Sequence, residues 1–275
     1  MRMKHLPIML ASAIAPFFLA CDLLDLFAPD SGGGISESEV ARGLQEALSV
    51  GIDSANARVS KINGYLLNQA IKILLPSDVQ TVLAYSQNLY NAAAPYLLTL
   101  QAVGIDPLNL SSLNGAGESL MVSMNHAAEK AAPRSVGIFK SAIFALTIPK
   151  AMDILHGDSI AATSYLKGET YDSLTGLYKP FIDSTLALVH ANQYWQSIAQ
   201  SYNTIMGYYH DAAAVIPGVL PVPPYNSLST DLSRYTTTKA LDGLFYMVGR
   251  EETRIRKDPI ARVTELLKEV FGLLD

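Results

Sequence analysis

Cysteine is almost missing from this chain: its 275 residues include one, Cys21, so no intramolecular disulfide can staple it. Charge is sparse as well, at 16% Asp, Glu, Lys and Arg, and the balance is acidic, with a formal net charge of −5. That composition lacks the Lys and Arg surplus that nucleic-acid phosphates need, and it offers no polybasic membrane patch. Histidine is scarce too: beyond residue 20 there are His126, His156, His190 and His210. No two of these stand at the i,i+4 spacing that sets a pair of metal ligands on one helix face. There is no twelve-residue calcium loop and no Gly-x-Ser-x-Gly elbow, and Gly32–Gly34 has neither a strand before it nor Lys-Ser after it. No cofactor or metal is therefore expected. No apolar run reaches the ~20 residues of a membrane-spanning helix. Stability must come from a core, which a chain that is 49% apolar can build.

The one cysteine closes an apolar stretch, Leu6 to Ala20, which Arg2 and Lys4 precede. A basic start, a short apolar run and a small residue at the junction make a secretory signal. Leu19-Ala20-Cys21 resembles a bacterial lipobox, in which the cysteine is acylated and becomes the mature N-terminus. Removing Arg2 and Lys4 with the signal takes the formal charge from −5 to −7. More than one acyl chain makes such anchoring stable. The expected location is the bacterial cell envelope, lipid-anchored and facing the periplasm. Asp22 resembles the inner-membrane retention signal of enteric bacteria, a rule that does not transfer between phyla, so both membranes stay open.

Residues 21–35 read as a flexible tether, with Ala28-Pro-Asp-Ser-Gly-Gly-Gly34 at its centre. Order begins with the capping box Ser36-Glu-Ser-Glu39, followed by Val40, Leu44, Ala47, Leu48 and Ile52 at helical spacing. Residues 36–275 are then expected to form one all-α, multi-helix domain. The short apolar piece Ile71–Leu75 before Pro76 fits either a strand or a helix turn, and it is the one place a strand is allowed. A segment from Ser77 to about Leu100 is expected to break at Pro95, and Gly104–Gly115 reads as a loop of turn residues. Helices are expected at 116–131, at 133–146 with Pro133 in the first turn, and at 148–156. Gly157 stops one helix and Asp158 caps the next; a helical stretch over 169–209 is expected to break near Pro180 and Ala191. Leu241, Leu244, Phe245, Val248 and Ile255 form an apolar stripe, with Glu252 and Arg256 as an i,i+4 pair in the favourable order, contributing roughly a few tenths of a kcal/mol. Gly243 amid that stripe predicts a close helix–helix contact. Asp258-Pro259 then starts a last helix, making an elbow.

Two polar sets are candidate ligand or partner contacts. Asn125, Glu129 and Arg134 lie on or beside one helix, and Asp242, Glu251, Arg256 and Arg262 surround the elbow. As structural groups they would pair, cap helix ends and fix the elbow. As a site they would form a polar pocket in which Arg forks onto an anion. Tyr194, Trp195, Tyr202, Tyr208 and Tyr209 suit core margins and binding surfaces alike. The apolar, Pro-rich segment 212–224 reads as an ordered loop over the core, or as a surface for an envelope protein or apolar ligand.

Five stretches, Ser36–Gly51, Met124–Pro133, Gly157–Tyr165, Lys239–Phe245 and Glu251–Phe271, carry a family likeness. Through them residues Ile35 to Gly272 resemble the DUF4197 family of bacterial envelope proteins, whose biochemical function is not established. The most specific part is Ala240-Leu-Asp-Gly-Leu-Phe245 with Arg256, Pro259 and Arg262. The resemblance implies a mostly helical single domain and carries over no catalytic residue. The functional expectation is a non-enzymatic binding or interaction module on a lipid anchor. An envelope enzyme with a carboxylate acid/base site and a structural envelope component are the alternatives.

Overall fold

The long helix over Leu108–Ala145 organises the domain, because five other helices of the described residues contact it. A computed structural model of the chain describes residues 34–93, 98, 108–215 and 231–275. The signal segment, Cys21, most of the tether and residues 216–224 of the Pro-rich segment lie outside the described residues. The chain divides at Ile35, and Ser36–Asp275 forms one unit. Its α-helices are α1 (Glu37–Val59), α2 (Ser77–Ala93), α3 (Leu108–Ala145), α4 (Ala151–Leu155), α5 (Ala161–Leu188), α6 (Ala191–Val215), α7 (Leu232–Lys257) and α8 (Glu265–Gly272). A 3-10 turn, Pro259–Ala261, precedes α8. Among the described residues there is no strand, and no helix is long and apolar enough to cross a membrane.

Four helices close a ring in which α1 packs on α3, α3 on α5, α5 on α7 and α7 back on α1. The core they enclose is aliphatic, with Leu44, Leu48, Ile52, Leu120, Met124, Ile143, Leu166 and Leu244 all fully buried. Burial of each such side chain contributes roughly 1.5–3 kcal/mol. The helix α1 begins as its sequence dictates: Ser36 Oγ accepts the Glu39 amide at 3.3 Å, and Glu39 accepts the Ser36 amide at 2.9 Å. Its buried stripe includes two glycines. A Cβ at Gly43 would stand 2.6 Å from Val270 of α8, so this glycine lets the elbow helix lie against α1. Outside the ring, α2 and α6 cover α3, and Val82, Tyr85 and Tyr202 form a small second cluster.

Several sequence expectations need correction. Pro133 does not begin a helix but lies inside α3, and Pro180 lies inside α5. An interior proline costs about 3 kcal/mol, yet both flanks are pinned by burial, Ala128, Ala131, Ser135 and Phe139 around one and Leu174, Tyr178 and Ile182 around the other. Packing outweighs the local preference. The break near Ala191 is present, with His190 in the left-handed region at φ 59°. Residues 108–115, expected as loop, are the first turns of α3, because Leu113 is buried and Gly117 admits Leu83 of α2. The close approach at Gly243 is made by the ring of Tyr65, on the connection after α1, and not by another helix: a Cβ there would meet Tyr65 Cε1 at 2.6 Å.

Ile71–Leu75 forms neither strand nor helix. Its backbone groups still need partners: the Ile71 and Lys72 amides donate to the Asn68 carbonyl, and Asn125 of α3 serves Ile73. The Ile73 amide donates to Asn125 Oδ1 at 2.9 Å and Asn125 Nδ2 donates to the Ile73 carbonyl at 2.8 Å. At Ile73 a side-chain amide thus makes the pair of bonds that a neighbouring strand would make.

Candidate functional site

The two polar sets separate once the chain is folded. On α3, Asn125 is fully buried, and it also donates to the Met121 carbonyl. One turn later, Glu129 is 5% exposed and accepts the backbone amides of Asn63, Tyr65 and Leu66 at 3.1–3.2 Å. The pair therefore grips the connection between α1 and α2, and Glu129 supports Asn63 at its positive φ of 63°. Arg134 stands apart, exposed, with its guanidinium 6.0 Å from the centre of the Phe181 ring.

Around the elbow the charges are inside. Glu252 is fully buried at the start of α5, where it accepts the amides of Ala162 at 3.0 Å and Thr163 at 2.8 Å and the Thr163 hydroxyl at 2.6 Å. The helix α5 has no capping side chain of its own at Ile160, so a carboxylate from α7 satisfies its first amides and meets the positive end of its dipole. Asp158, the expected cap, instead closes a turn by accepting the Ile160 amide. Arg256 joins Glu252 at 2.8 Å, donates to the carbonyls of Leu155 and Ile154 at the end of α4, and lies over Phe271. Arg262, 3% exposed, donates to the carbonyls of Ile255 and Arg256 and forks onto Asp275 at 2.6 and 2.7 Å. These hydrogen bonds hold helix ends together; their donors and acceptors face protein groups.

Asp242 differs from these groups in facing the cleft between α5 and α7. The cleft, about 570 Å³, opens between α5, α7 and the connection after α1. Ile71, Ile160 and Phe245 give it apolar walls, while Lys72, Lys167, Lys239, Thr163, Ser164 and Tyr246 supply polar groups. Lys167 Nζ donates to Asp242 Oδ1 at 2.8 Å and lies 5.7 Å from the centre of the Phe245 ring. The Tyr171 hydroxyl reaches Asp242 Oδ1 and the Thr238 carbonyl, each at 3.2 Å. Burial, then the charge of Asp242, raises the pKa of Tyr171 well above the usual phenol value, so it stays a neutral donor. Lys72 and Lys239 have no carboxylate partner among the described residues. Three ammonium groups against one carboxylate leave the cleft with a surplus of positive charge on an acidic chain.

Sequence reasoning missed the lysines, although the spacing holds a trace of them. Lys239, Asp242 and Tyr246 recur at i+3 and i+4 on α7, and Lys167 and Tyr171 are i,i+4 on α5. Nothing in the spacing says that these two faces meet, or that Lys72 arrives from a third segment. Of the aromatic set, Tyr202 is buried and Tyr194 is 36% exposed; neither lines the cleft. Among the described residues no cluster of His, Cys, Asp or Glu could hold a metal ion.

The profile of the DUF4197 family, described as "Protein of unknown function (DUF4197)", matches residues 34–93 and 100–272. No curated protein and no solved structure matches the chain.

Proposed function

The chain belongs to the DUF4197 family, and on that footing we propose that it is a lipid-anchored envelope protein whose helical domain is a non-enzymatic binding module. The anchor is Cys21, for the reasons its signal segment gives. The binding site is the α5–α7 cleft. Its ligand is a small amphiphile with an acidic head, matched by apolar walls at Ile71, Ile160 and Phe245 and an ammonium surplus at Lys72, Lys167 and Lys239.

The observation that carries this reading is that Asp242, alone of the sequence candidates, lines the α5–α7 cleft, and it does so in the stretch Ala240–Phe245, where the resemblance to the family is most specific. The enzyme alternative needs two carboxyl groups with separated pKa values. The cleft walls hold one carboxylate, which Lys167 already pairs. Native mass spectrometry of the acylated chain extracted from its own membranes tests the reading. A stoichiometric small-molecule adduct is expected in the wild type and should be lost in Ser164→Trp, which fills the cleft from an exposed wall position. An adduct indifferent to that substitution, or none at all, would count against the cleft.

A further inference from the structure

A second groove, along the C-terminal half of α7, is lined by Arg58, Arg250, Glu251, Arg254, Lys257 and Asp258. Four cations face two carboxylates there, on a chain whose net charge is −5. Helix C-termini attract basic side chains through their dipoles, and that would account for one or two of these residues. The arrangement goes further. Glu251, 1% exposed, accepts the Ser54 hydroxyl at 3.2 Å and Arg58 Nη2 at 3.4 Å, and it also takes Nε of Arg254 at 3.0 Å. A buried carboxylate therefore fixes two half-exposed guanidiniums, which keep N–H donors free toward solvent. Arg250 and Lys257 are exposed and make no ion pair among the described residues.

Exposed aliphatic side chains adjoin the groove in the chain. Ile260, 90% exposed, comes two residues after Asp258. Leu67, 70% exposed, precedes Asn68, whose amide touches Met247 on the groove wall. Basic groups beside exposed apolar ones suit the boundary between phosphate headgroups and acyl chains, where cations meet phosphate and apolar side chains enter the lipid. We infer that this groove is a contact surface for anionic phospholipid headgroups, which turns the anchored domain to a fixed orientation on its membrane. The inference rests on the anchored reading, since the acyl chains bring the groove within reach of the headgroups.

The test uses the full acylated chain carrying Ile260→Cys, whose thiol is the only free one once Cys21 is acylated. An environment-sensitive dye on that thiol is read in nanodiscs of neutral phosphatidylcholine, and in discs that also contain phosphatidylglycerol. A blue shift is expected in the anionic discs alone. High salt should abolish it, and so should Arg250→Glu with Lys257→Glu, which leaves the buried Glu251 ties in place. The same dye at Leu177→Cys on α5 should not respond. Equal emission in both discs, a shift that survives the charge reversals, or an equal shift at Leu177 would overturn the inference. So would suppression of the shift by millimolar inorganic phosphate at constant ionic strength, which would make the groove a site for free phosphate. A chain that fails to enter the discs at all refutes the anchor instead, so the two failures are distinct.

Discussion

Replacing Glu252 by alanine should be among the most damaging single substitutions in the domain. Its carboxylate holds two backbone amides and a hydroxyl of α5 while pairing with Arg256, whose side chain is 5% exposed. Removing it strands a buried guanidinium charge and unties the first amides of a helix that lacks its own cap. Breaking a buried pair from one side costs about 3–5 kcal/mol. For a domain of this size each kcal/mol moves Tm by about 2–4 °C, so a fall on the order of 6–20 °C is expected. Calorimetry of Glu252→Ala, Arg256→Ala and the double variant gives the coupling directly. The double variant should cost clearly less than the sum of the singles, because the second deletion removes the stranded charge. It should not return to wild type, because the α5 amides stay uncapped. A fall of about 2 °C or less for Glu252→Ala, which a solvent-exposed i,i+4 pair would give, would refute this reading of the junction.

Gly243→Ala should destabilise by about 1–3 kcal/mol as an overpacked contact with Tyr65; thermal melts should show Gly168→Ala, which meets nothing within 4 Å, moving the other way by up to ~1 kcal/mol. Burial raises the pKa values of Tyr65, Tyr171 and Tyr178. Their native protons are held to higher pH than in the unfolded chain, so stability should be pH-independent from this source below about 10 and fall as pH rises above it. Absorbance titration at 295 nm should show a late tyrosine class that ionises together with loss of helical ellipticity; early ionisation of every tyrosine in the folded state would contradict the burial. Arg262→Ala should lower Tm by several degrees, since it unties the Ile255 and Arg256 carbonyls, whereas Arg134→Ala should leave Tm unchanged.

The helical class was legible because it is written in local signals: the Ser36–Glu39 box, the stripe of α1 and the stripe of α7 each predict their own element. Prolines misled because their preference is local while Pro133 and Pro180 sit between buried neighbours that keep the helix intact. Ile71–Leu75 looked β-like and is neither strand nor helix, because the partner of Ile73 is an Asn side chain 52 residues away in sequence, which no strand pattern announces. Asn125 and Glu129 stood out as polar residues on a helix face, and that signal is the same for a ligand site and for a clamp on a connection. Glu252 and Arg256 read as an i,i+4 pair contributing roughly a few tenths of a kcal/mol, because that spacing carries no information about burial. The cleft escaped detection since Lys72, Lys167 and Lys239 come from three segments. The basic groove escaped for the same reason: Arg58 is distant from Arg250–Lys257, and a net charge of −5 conceals a local surplus of the opposite sign.

Intact-mass analysis of the protein recovered from bacterial membranes tests the anchored reading most directly. Anchoring predicts that residues 1–20 are gone, that Cys21 carries added lipid mass, and that Cys21→Ser moves the chain to the soluble fraction. A wild-type species that retains Met1 or carries no lipid, or a Cys21→Ser variant that stays with the membrane, would contradict it.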